Sequence, residues 1–237
     1  MGTKIENVLF TFSGLIHGNL SWGKKNWIAF TTGQGIIRIF KSDGSGNHQI
    51  VEHSDMNFFS GTGPEWSPSG DHLYYHTVYV NTPNGVICDT SGVVFSYSPI
   101  INRPDWNKNN ILVGADGWLL STLDLNTNEK IDFAQWYPVN EADAVSFIEW
   151  LPNNHHAIFS KDKGLFRVDT KTGEILQLKE NCITKKYKAL SVSNEGNFIL
   201  CEKIVGKQTG PNTAVERSEI WKMDINGCNE VRVLPKE

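Results

Sequence analysis

The sequence predicts an all-β chain folded as a β-propeller, most simply of five four-stranded blades. Two observations lead there. The first is a recurring unit: a short strand ending in a marker residue, a tight turn, then a second apolar strand. It is clearest at Pro64-Glu65-Trp66-Ser67-Pro68-Ser69-Gly70-Asp71 followed by His72-Leu73-Tyr74-Tyr75. Its markers are Trp22, Trp66, Trp106, Trp150 and Val192, spaced 44, 40, 44 and 42 residues apart. The second is a turn led by an aspartate late in each unit, at Asp43, Asp89, Asp124, Asp169 and Asp224. Four short strands in roughly 40–45 residues is the period of a propeller blade.

Taken in order, Lys4 to Phe12 carries a strand, Val8-Leu9-Phe10-Thr11-Phe12, ahead of the first full repeat. A closed ring needs its last sheet joined to its first, since open edges invite unwanted pairing. This strand is expected to supply that closure; the alternative makes it the remnant of a sixth blade. The five repeats span residues 17–52, 63–98, 103–133, 146–179 and 189–234 of a single domain. In the first strand pair Pro68 presets φ and Gly70 gives the permissive backbone of the turn. The fifth repeat carries a polar insertion, Lys207 to Arg217, expected as an exposed loop. No 3.6-residue apolar period is sustained, so no helix of consequence is expected.

Composition narrows the classes. With 22 Lys+Arg against 26 Asp+Glu and a net charge of −4, nothing suggests the basic face that nucleic acid requires. No apolar run approaches the roughly 18 residues of a membrane span. Cys88, Cys182, Cys201 and Cys228 form no C-x-x-C pair and are expected as separate thiols. His72 and His76 on one extended strand stand roughly 13 Å apart at ~3.3 Å per residue, too far for joint ligation. Neither a metal nor a cofactor is expected, and no Gly-x-Ser-x-Gly elbow or phosphate loop occurs.

The repeats resemble those of TolB-like β-propellers, whose motif runs close to Pro-x-Trp-Ser-Pro-Asp-Gly. Pro64 to Gly70 matches it with Ser69 in the Asp position, and the other four copies are degenerate. The family often has six or seven blades, against five here. The resemblance implies a protein- or glycan-interaction module of bacterial envelopes, periplasmic or secreted. Related propellers also form enzymes, and fold alone does not choose between the two.

Three groups of residues are candidates for function. The marker tryptophans Trp22, Trp66, Trp106 and Trp150 are expected in the core between blades, where hiding ~200 Å² of indole is worth up to about 5 kcal/mol. Just before three of the markers stand Glu65, Asp105 and Glu149, on strands expected to line the central channel. They would either accept neighbouring N–H groups or converge, raising one another's pKa. A third group collects aromatics on one loop-bearing face: Phe58 and Phe59, Tyr97 with Arg103, Trp118, Trp136 with Tyr137, and Tyr187. Such side chains suit a peptide anchor or a sugar ring. The leading expectation is a non-catalytic propeller that binds a protein segment or carbohydrate there. The alternative is an enzyme acting on a polysaccharide, which needs two carboxyl groups roughly 5–10 Å apart beside a cleft.

Overall fold

The computed structural model describes residues 16–32, 36–51, 64–77, 84–98, 101–116, 119–135, 145, 147–161, 164–182, 185–210 and 213–234. Among these there is no helix, and the strands form five four-stranded antiparallel sheets, the blades of a β-propeller. Each sheet is a meander in chain order. The expected N-terminal strand, residues 4–12, lies outside the described residues.

The chain divides into two compact units, Met1–Ile100 and Ile101–Glu237. The first unit holds two sheets: β1 (Ile16–Trp22), β2 (Trp27–Thr32), β3 (Ile37–Lys41), β4 (His48–Val51), then β5 (Glu65–Trp66), β6 (His72–Thr77), β7 (Asn84–Asp89), β8 (Val94–Ser98). The second unit holds three. These are β9 (Asn102–Trp106), β10 (Ile111–Asp116), β11 (Leu119–Asp124), β12 (Glu129–Gln135); β13 (Phe147–Trp150), β14 (His156–Lys161), β15 (Gly164–Asp169), β16 (Ile175–Glu180); and β17 (Lys185–Val192), β18 (Phe198–Gly210), β19 (Thr213–Asp224), β20 (Val231–Leu234).

The turn after each marker explains the motif. Its last residue has positive φ, and the chain places Asn26, Gly70, Asn110, Asn154 and Gly196 there. Asn and Gly are the residues that tolerate the left-handed region. The later turn is closed by its aspartate: Asp89 Oδ1 accepts the N–H of Ser91 and Val93, and Asp224 Oδ1 those of Asn226 and Cys228. The two hairpins of a sheet are then tied at the same end. The Leu125 N–H donates to Asn110 O, Thr170 to His155 O, and Ile225 to Asn197 O, at 2.8–3.0 Å.

The core lies between successive sheets. In the first unit Ala29, Ile37, Ile39 and Ile50 of the first sheet pack with Trp66, Leu73, Tyr75, Val86 and Cys88 of the second. In the second unit Val113, Ala115 and Leu120 meet Trp150, Phe159 and Phe166, while Leu151, Ile158 and Leu165 meet Tyr187, Ile199 and Met223. The fit is close at the turns. A Cβ on Gly92 would stand 2.3 Å from Ile50 O, and one on Gly173 2.2 Å from Phe133 O. These two glycines are therefore fixed by the preceding sheet as much as by their own φ.

Two expectations are corrected. Trp22 is not core: it is 64% exposed, whereas Trp66, Trp106 and Trp150 are buried. Trp66 is covered by the first sheet and Trp150 by the third, whereas among the described residues no sheet precedes that of Trp22 in the chain. The polar insertion is not a loop either. Residues 207–210 and 213–217 continue β18 and β19 as a paired ribbon out to Gly210↔Thr213. The stretch is polar with Gly and Pro in it and lacks apolar alternation, so it gave no strand signal.

Candidate functional site

Two of the carboxylates just before a marker, Asp105 and Glu149, accept backbone N–H groups. In the second unit the Trp150 N–H donates to Asp105 Oδ2 at 2.6 Å, and the Trp106 N–H to Asp105 Oδ1 at 2.9 Å. The Val192 N–H donates to Glu149 Oε2 at 3.0 Å. The side chain before one sheet's marker therefore accepts the marker N–H of the next sheet. The first unit repeats the joint with a hydroxyl: the Trp66 N–H donates to Ser21 Oγ at 3.3 Å, and the Ser21 hydroxyl to Glu65 Oε2 at 3.2 Å. The indoles add a second tie, Trp66 Nε1 to Ser21 O and Trp150 Nε1 to Ile111 O, both at 3.2 Å.

Burial sets the charge of these acids. Loss of solvent pushes the Asp105 carboxyl above its ordinary value, against the pull of the two N–H groups it accepts. Burial also pushes Glu149 up to about 8, helped by the negative charge of Asp105 and opposed by the Val192 N–H. Both Asp105 oxygens accept N–H bonds, which suits an ionised group, whereas Glu149 has one oxygen left to carry a proton. The second oxygen of Glu149, rather than either oxygen of Asp105, is where a retained proton fits.

Tyr187 sits in β17, not in a loop, and is buried, because its register partner Lys203 and its neighbour Ala189 turn it onto the face packed against the fourth sheet. Its hydroxyl donates to Glu230 Oε1 at 3.2 Å. Glu230 also pairs with Lys179 and Lys203. Burial would raise its carboxyl, but the two ammonium groups prevail and hold it below the usual value. Lys203 Nζ lies 4.1 Å from the Trp221 ring centroid and 5.3 Å from that of Tyr187, a cation between two aromatic faces. Sequence reading missed this cluster. The available signal was Lys203 standing in period two with Ile199 and Cys201, a charge at a core position.

Of the other loop-face candidates, Phe58, Phe59, Trp118, Trp136 and Tyr137 lie outside the described residues. Tyr97 and Arg103 have their backbones in β8 and β9, strands rather than loops. All four cysteines are free, and burial pushes the Cys88 and Cys201 thiols up to about 12. Among the described residues no three His, Cys, Asp or Glu side chains gather as they would around a metal ion. No described helix is long and apolar enough to cross a membrane.

No family model matches the chain, and no curated protein matches it in sequence. Solved structures do match in fold. A putative TolB from Agrobacterium tumefaciens superposes with a TM-score of 0.68 at 9% identity, over 95% of this chain and 83% of that one. An oligogalacturonate lyase in complex with manganese gives 0.62 at 13% identity, covering 94% and 67%. A nidogen/laminin complex gives 0.62 at 11%, covering 92% and 79%. At such identities the likeness is one of fold: the chain has the TolB-like propeller fold.

Proposed function

We propose that this TolB-like propeller is a non-catalytic module that binds a protein segment on its loop-bearing face, with carbohydrate as the other ligand class its aromatics suit. One observation carries the reading: Asp105 and Glu149 are occupied in joining sheet to sheet. A matching propeller that stands in a nidogen/laminin complex supports a protein partner. A periplasmic or secreted location goes with the resemblance to TolB. The test is a thermal-shift screen of peptide and oligosaccharide panels, since a ligand of the folded form raises its melting temperature. The expected hit is weakened at least tenfold by Phe58→Ala with Phe59→Ala, or by Trp136→Ala with Tyr137→Ala, and is unaffected by Asp105→Asn.

A second reading, an enzyme acting on a polysaccharide, is favoured by one feature. A carboxyl held up to about 8, as Glu149 is, carries the proton a general acid needs near neutrality. Depolymerisation of a polysaccharide that disappears in Asp105→Asn and Glu149→Gln, with those variants folded, would replace the binding reading by this one.

A further inference from the structure

The fifth sheet outgrows the fourth at one end. Counted from the tied turns, His156 of β14 corresponds to Phe198 of β18, so the hairpin that closes the fourth sheet at Lys161↔Gly164 stands level with Lys203↔Glu219. There β14 and β15 stop. β18 and β19 stay paired from Ile204↔Ser218 to Gly210↔Thr213, roughly 20 Å further at ~3.3 Å per residue. Among the described residues no other middle pair does this. β2, β3, β6, β7, β10, β11, β14 and β15 have five or six residues each, against thirteen in β18 and twelve in β19.

The difference leaves a ledge on the face that packs against the fourth sheet. The row Tyr187, Lys203 and Glu219 is buried, with Lys179 of β16 over the Tyr187 ring. The next row on that face is Lys185, Val205 and Arg217, side by side across β17, β18 and β19. Val205 is half-buried, Lys185 is exposed and the Arg217 side chain is 71% exposed. The ledge is basic. Lys179, Lys185, Lys203, Arg217 and Arg232 gather around two carboxylates, Glu219 and Glu230. That is a local surplus of positive charge in a chain of net charge −4. Glu180 and Glu202 alternate with Lys179 and Lys203 along their strands and belong to the opposite faces. The ledge also offers backbone. β17 accompanies β18 only as far as Lys185↔Val205, so beyond that pair β19 is the one strand partner of β18 among the described residues.

We propose that this ledge docks an extended acidic segment of a partner protein, laid along β18 in continuation of β17. The proposal rests on the binding reading above and gives it a place and a ligand class. Main-chain hydrogen bonds to the open side of β18 hold the segment, and every second side chain falls on the face of Lys185 and Arg217. The surplus positive charge selects carboxylates there, and Val205 between the two cations takes an apolar contact. The exposed row presents no aromatic ring to stack on a sugar, which favours a peptide over an acidic polysaccharide.

The test follows fluorescence polarisation of a short labelled peptide alternating Glu and Val, with its Lys and Val counterpart and polygalacturonate as comparisons. The proteins are the full chain and a Lys185→Glu, Arg217→Ser double variant, in which Glu219 keeps Arg232 as a partner. Thermal unfolding confirms that the variant is folded. The acidic peptide is expected to bind the full chain at least tenfold more tightly than the basic one does, and at least tenfold more tightly than it binds the double variant. Its binding is expected to weaken as salt rises from about 0.05 to about 0.5 M. Equal affinity for the full chain and the double variant overturns the proposal. Absence of binding overturns it too; hits in the wider peptide screen that depend on Phe58, Phe59, Trp136 or Tyr137 would then leave the binding reading standing without this ledge. Capture of polygalacturonate in preference to the peptide, lost in the double variant, also overturns it, because the ledge is then a site for acidic polysaccharide.

Discussion

At the scale of single residues, Glu149 links packing to pH. Its unfolded value is the ordinary 4.5, and in the fold burial lifts it to about 8. Between those values the folded chain holds a proton that the unfolded chain has released. Stability is therefore greatest at the acid end of the window and falls as pH rises through it, reaching its floor above pH 8. Glu149→Gln keeps an oxygen for the Val192 N–H and removes the titration. Urea unfolding at pH 5, 7 and 9 should show the slope of the parent flattened, with the variant the more stable protein at pH 9. Gly92 and Gly173 make a sharper residue-scale case. Alanine at either combines a positive φ with a Cβ less than 2.5 Å from a neighbouring carbonyl oxygen, and should cost at least about 2 kcal/mol in urea unfolding. The turn glycines were legible in the sequence as turn residues. That the preceding sheet presses on them was not, because the pressing atom is a backbone oxygen some 40 residues away.

At the scale of the element, the markers separate into two kinds. Trp66→Ala empties a site filled by a buried indole and should cost about 3–5 kcal/mol; Trp22→Ala, at an exposed position, should change stability by less than about 0.5 kcal/mol. Measuring both by chemical denaturation compares the same letter in the same repeat under different cover. The Glu230 cluster provides the electrostatic counterpart. Glu230→Gln leaves Lys203, whose side chain is 8% exposed, without its counter-charge. The loss expected is about 2–3 kcal/mol, below the full effect of breaking a buried pair because Glu230 is partly solvated. Strand positions and turns could be read from alternation and punctuation. The cluster could not, since Lys179 and Glu230 are brought to Lys203 only when β16 and β20 take their places.

At the scale of the whole molecule, stability comes from faces that hide each other in sequence. Ile158 and Leu165 of the fourth sheet are completely buried in the cluster they share with the fifth. A chain ending at residue 184 uncovers them and should aggregate more than residues 1–237 do; light scattering of the two decides it. The repeat count was legible because one turn chemistry recurs at a nearly fixed interval. The cover over each second strand was not legible, because Leu200 looks in sequence like any other strand residue; it is 37% exposed where its counterparts Ala29, Tyr74, Val113 and Ile158 are completely buried.

The fifth repeat has Val192 where the others have tryptophan, yet its amide still reaches Glu149 Oε2 at 3.0 Å. A tie made by main chain survives any change of the side chain it starts from except one to proline, which has no N–H. Drift in such a repeat can erase the bulky aromatic that catches the eye and leave the junction intact, so long as an oxygen stays one position upstream in the preceding copy. Searching for distant kin of this chain by their oxygen-bearing residues at that position would find copies that a search for indoles passes over.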